Sequence, residues 1–136
     1  MELQTKTPVQ IIQELITIHT TRIEVIDKFQ ARVNDSSLSD NLLKAKMQSE
    51  LFVSQLMSEL SNFGDSIMAS VDSEDEYQLA CKNVFGEINE MEPPQIEAKF
   101  LALETVLKNT YAGILTTKIN LPESVQVVLV KQEGAL

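Results

Sequence analysis

The chain contains one histidine, His19, and any catalytic or metal chemistry would have to be built around it. Arg22 stands three residues further on. Ser49 and Glu104 fall on two later segments at a comparable distance from their ends. The demanding chemistry for such a set is a di-metal carboxylate centre. There, two helices each supply a Glu and two others each supply Glu-x-x-His, all pointing inward. Carboxylates bridge the two ions, while each imidazole completes one coordination sphere. The residue three before His19 is Ile16, and no Glu-x-x-His occurs in the chain. The sequence therefore predicts no metal centre and no cofactor. A Ser-His-Asp arrangement would need its serine on a sharp exposed turn, and there is no Gly-x-Ser-x-Gly. Gly-rich phosphate cradles are absent as well, so no enzymatic activity is expected.

What survives is a polar layer of His19, Arg22, Ser49 and Glu104. In its plainest reading the layer is buried and hydrogen-bonded, with Arg22 paired to Glu104 or Glu97. A buried charge must be paired, and such pairs add little net stability while helping to fix register. On that reading Arg22→Met should be tolerated, and severe unfolding would mark an obligatory pair. Two alternatives remain. In one, His19 or Arg22 reaches the solvent edge of a short bundle; in the other, the layer holds a metal or a small ligand. Cys81 lies on the apolar side of its segment and reads as inert packing rather than a reactive thiol. Met47, Met57, Met68 and Met91 read as packing too, since their spacing brings no two together on one turn.

The elements that must position these groups are helices. Thr7-Pro8-Val9-Gln10 matches a capping box with proline at the first helical position. Ile12, Leu15, Ile16, His19, Ile23, Ile26, Phe29, Gln30 and Val33 then recur at steps of three and four, predicting helix 1 over 8–33. Helix 2 is expected over 38–63, starting from Ser37 or Ser39. Its core stripe is Leu38, Leu42, Ala45, Ser49, Phe52, Val53, Leu56, Leu60 and Phe63, and the short turn before it makes it the antiparallel neighbour of helix 1. Gly64-Asp65-Ser66 and Asp72-Ser73-Glu74-Asp75-Glu76 read as loop, the second also as an acidic helix start. Tyr77, Ala80, Cys81, Val84, Ile88 and Met91 predict a small helix within 75–90, as part of a crossover between two helix pairs. Helix 3 is expected over 94–118, with Ile96, Phe100, Leu103, Leu107, Thr110, Tyr111 and Ile114 inward. Val125 to Val130 has strand-like propensity. A lone strand would have no pairing partner, so Pro122 and Glu123 are read as opening a short helix 4 over 122–133. The sum is an all-α, four-helix bundle in a single domain, 1–136.

Helix 2 carries a second apolar stripe, Leu43, Met47 and Leu51, facing away from the first. It is either covered by the crossover helix or the tail, or it is a candidate association surface.

At 136 residues and 43% apolar content, the chain can bury a core without staples. The net charge of −9 argues against nucleic acid and anionic membranes, both of which select basic patches. No apolar run approaches the ~20 residues of a membrane span. A single cysteine forms no internal disulfide, which predicts a reducing, cytoplasmic setting.

Several local patterns resemble a ferritin-like family of small, uncharacterised bacterial proteins. They are Leu15-Ile16 early and Phe29 late in helix 1, and Leu60 to Gly64 closing helix 2. Ile96-Glu97-Ala98 follows, with Tyr111 further along helix 3, then Leu121-Pro122-Glu123 ahead of Lys131-Gln132. The resemblance covers most of 8–133. It implies a ferritin-like up-down four-helix bundle with a shortened helix 4, no established activity, and a stress-related role. The expected function is association, as a homo-oligomer or with a protein partner. The rival is a metal or small-ligand binder using the polar layer.

Overall fold

The structure is a computed structural model, and it describes residues 7–63, 75–117 and 121–136. The expected loop residues 64–66 and 72–74, Met68, and the expected end of helix 3 at residue 118 lie outside the described residues. Those residues form five α-helices and one 3-10 turn, with no strand among them.

Helix α1 runs Pro8–Gln30. Its start is the expected box: Gln10 N–H donates to Thr7 Oγ1 at 3.1 Å, and Thr7 N–H donates to Gln10 Oε1 at 2.9 Å. The helix ends three residues earlier than its periodicity suggests, but Val33 is still buried beyond it. Ile11, Ile18 and Val25 are buried, whereas Ile16, Ile23 and Gln30 are half-buried. The inward arc is therefore rotated from the expected one, because neighbours pack on more than one side of α1.

Helix α2 spans Ser36–Ser61. Its cap is Asp35, whose carboxylate accepts from Leu38 N–H at 3.3 Å, rather than either expected serine. Leu38, Leu42, Ala45, Ser49, Phe52 and Leu56 of the inner stripe are buried. Val53 and Leu60 are half-buried and Phe63 is exposed, so the stripe loses cover toward the end of the helix. Helix α3 spans Glu76–Glu87, capped by the Asp75 side chain on Gln78 N–H at 2.9 Å, and the 3-10 turn Ile88–Glu90 follows. Helix α4 spans Pro93–Thr116 and helix α5 spans Glu123–Ala135. The Val-rich segment is helical, as the lack of a pairing partner requires.

Side-chain pairs give the directions. Lys46 Nζ meets Asp27 at 2.8 Å and Gln30 reaches Ser39, so α2 is antiparallel to α1. Arg22 meets Glu104 and His19 meets Tyr111, so α4 is antiparallel to α1 and parallel to α2. Consecutive long helices running the same way require a long connection, within which α3 lies. Helix α3 runs alongside α1, with Thr21 on Gln78 and Lys28 over the Phe85 ring. Helix α5 runs back along α2, with Ser124 on Glu59 and Gln132 on Gln55. Helices α1 and α2 form the main packed pair. Helix α3 bridges α1 to α4, and α5 bridges α4 to α2. One apolar core runs through all of them, from Ile11 and Leu42 to Leu107 and Leu129.

Candidate functional site

The four predicted polar residues come together where α1, α2 and α4 meet. His19 and Ser49 are wholly buried and Arg22 is 2% exposed, so neither His19 nor Arg22 reaches a solvent edge. The Arg22 guanidinium grips the Glu104 carboxylate with two bonds, Nε to Oε2 at 3.0 Å and Nη2 to Oε1 at 2.5 Å. Glu97 is exposed and takes no part. Arg22 Nη1 also donates to Gln48 Oε1 and to Ser49 Oγ, both at 2.9 Å. Planar two-point pairing is what a guanidinium offers and an ammonium does not.

From Ser49 the bonding continues inward. His19 Nδ1 lies 2.8 Å from Ser49 Oγ and His19 Nε2 lies 2.8 Å from the Tyr111 hydroxyl. Tyr111 donates to Gln132 Oε1 at 2.6 Å. Gln132 Nε2 then donates to Gln55 Oε1 at 2.9 Å and, at 3.5 Å, to the Phe52 carbonyl. The direction of this string is determined at both ends. A guanidinium only donates, so Ser49 accepts from Arg22 and spends its own proton on His19 Nδ1. The Phe52 carbonyl only accepts, which orients the Gln132 amide with its oxygen toward Tyr111. The Tyr111 proton then goes to Gln132, leaving its oxygen to accept from His19 Nε2–H. Both ends demand the same tautomer, protonated on Nε2.

Electrostatics agree with that neutral imidazole. Burial, with the Arg22 charge as the lesser cause, pushes the His19 pKa down to about 3. The ring also packs edge-on against Phe52, centroids 5.2 Å apart.

In the sequence Tyr111 stands out as part of an inner apolar stripe and of the family likeness, and Gln132 as part of the likeness alone. Both left a signal. A buried tyrosine hydroxyl needs a partner, and Gln132 is three residues past Leu129 and seven past Val125, on the buried side of α5.

No family model, curated protein or solved structure matches this chain.

The site must be read from its chemistry alone. Both ring nitrogens of His19, the Ser49 and Tyr111 hydroxyls and both ends of the Gln132 amide are bonded to other members of the string. Among the described residues, no three His, Cys, Asp or Glu side chains converge as a metal site would need. Gln78 Nε2 is the buried side-chain nitrogen without a partner among the described residues, and it belongs to α3 rather than to the string. Cys81 is 1% exposed, and burial pushes its thiol pKa up to about 12, which makes it a poor nucleophile.

The second predicted feature has the opposite character. Leu43, Met47 and Leu51 are 44%, 59% and 55% exposed. Neither covering element reaches them: α3 lies against α1 and α4, and α5 lies on the flank of α2 marked by Gln48, Gln55 and Glu59. Met57, also exposed, extends the apolar surface toward the end of α2. No helix of the described residues is long and apolar enough to cross a membrane.

Proposed function

We propose that this protein is a non-enzymatic helical bundle that acts by associating with protein through the outer face of α2. The carrying observation is the stripe Leu43, Met47 and Leu51, one residue per turn and about half exposed, on a helix whose opposite side is packed in the core. Contiguous apolar surface of this kind is a feature of interaction sites. The closed hydrogen bonding around His19 supports a structural duty for the polar layer, which holds α1, α2, α4 and α5 in register beneath that face. The parallel course of α2 and α4, with α3 between them in the chain, supports the ferritin-like reading of the bundle. The unpaired, buried thiol of Cys81 supports a cytoplasmic setting.

A photo-crosslinking amino acid at Met47, introduced in the native cells, tests the association. Irradiation should join position 47 to protein, while the same probe at exposed Lys108 on α4 should give none. Equal yields from both positions, or none from Met47, would refute it.

A further inference from the structure

We infer that the occupant of this face is a second copy of the chain, packed antiparallel about a two-fold axis near Gln48; the inference rests on the association reading above. Three properties of the face point to its own reverse.

The first is shape. Along the centre of the outer surface of α2 the bulky residues Leu43 and Met47 come early and the small exposed residues Ser54, Ser58 and Ser61 come late, with the exposed Met57 set to the edge that carries Lys46 and Glu50. Turning a second copy end for end sets Leu43 over Ser54 of that copy and packs Met47 between the other Met47 and Leu51. Parallel pairing would stack leucine on leucine at one end and leave a gap between serines at the other.

The second is charge placement. Lys46 and Glu50 are one turn apart on the same edge of the stripe, the edge toward α1, where Lys46 also bonds Asp27 at 2.8 Å. A two-fold axis perpendicular to both helices brings that edge against itself in reversed order. Lys46 then faces Glu50 of the other copy, and the contact occurs twice. In a parallel pair the same edge would meet the opposite one and bring Lys46 beside Lys44.

The third is net charge. The chain as a whole carries −9 and resists meeting itself. The outer face of α2 carries Asp40, Glu50, Lys44 and Lys46, and Asp27 of α1 bonds Lys46 at its edge, so three acids against two bases leave it only one of the chain's net negative charges. It is therefore suited to close approach by another copy.

The test mixes two singly substituted proteins, Leu43→Cys and Ser54→Cys, under mild oxidation. The mixed disulfide should dominate both self-disulfides; Cys81, buried, does not compete. Predominant joining of position 43 to position 43, or no joining at all, would overturn the inference. Sedimentation over a concentration series should show a dimer that Met47→Glu abolishes. Lys46→Glu and Glu50→Lys should each weaken dimerisation by about 3- to 10-fold, since the exposed pair occurs twice. The double exchange should restore it. All these positions are on the surface, and thermal melts will confirm that each variant folds. A purified chain that stays monomeric while position 47 crosslinks to a different protein would sink the second copy and leave the association reading standing. A monomer that crosslinks to nothing would sink both.

Discussion

At the scale of single residues, the decisive fact is that Arg22 and His19 are buried with every side-chain nitrogen hydrogen-bonded. Arg22→Met would leave Glu104, 19% exposed, without its partner, and would strip donors from Ser49 and Gln48. Breaking a buried pair from one side costs about 3–5 kcal/mol, whereas replacing both partners by apolar groups is often neutral. The tolerance expected from sequence alone thus gives way to a sharper prediction. Arg22→Met should be strongly destabilising in urea melts, and adding Glu104→Leu should recover most of the loss. If the double variant is as unstable as the single one, the pair is not what holds the site.

His19 supplies a pH signature. Its pKa in the folded chain is about 3, below the ordinary value of 6.5. Between those values the unfolded chain takes up a proton that the folded chain refuses. Stability should accordingly decline as pH falls through this window, by up to about 1.4 kcal/mol per pH unit, and the decline should cease below about pH 3. His19→Gln removes the term. Carboxylates titrate in both proteins, so the difference between their urea-melt stabilities isolates the histidine. Curves that run parallel from neutral pH to about pH 4 would contradict the buried neutral ring.

At the scale of elements, much was legible because it is local. The Thr7 capping box, the proline starts of α1 and α4 and the acidic Asp75 cap are short-range patterns that survive any packing. The polar layer was legible for a related reason: His19, Arg22 and Ser49 fall within apolar arcs and Glu104 flanks one, all at matching heights. Two things were not. The phase of α1 depends on how many helices surround it, which is why Ile18 and Val25 are buried while Ile16 and Ile23 stay half-covered. The Tyr111–Gln132 bond joins α4 to α5, and no local spacing encodes which residues face each other across that join. Glycine offers a test at this scale. Gly86 in α3 and Gly113 in α4 have nothing within 4 Å of where a Cβ would sit. Alanine at either position should stabilise the protein by about 0.5–1 kcal/mol, since glycine is the costlier residue inside a helix. Calorimetry showing a lower melting temperature for either variant would mean that its helix does not run through that site.

For the whole molecule, charge and shape pull in different directions. The excess of acids spreads repulsion over the surface, and the Arg22–Glu104 pair is sheltered from it. Raising ionic strength from about 0.01 to about 0.15 M shortens the screening length from about 30 to about 8 Å. Melting temperature should rise with salt as that repulsion fades. The rise should be the same in the Arg22→Met/Glu104→Leu variant, because a buried pair is poorly screened. A fall in melting temperature with salt would mean that attractive surface pairs, not the acidic excess, dominate.

The one-way string through the core carries an evolutionary corollary. Each hydroxyl in it has a single proton to give, and each neighbour already depends on receiving it. Drift at one position is penalised until its neighbours have drifted too, so Ser49, His19, Tyr111 and Gln132 should be inherited as a block or lost as a block. A descendant that has given up the imidazole is expected to have greasy or small side chains at the other three places.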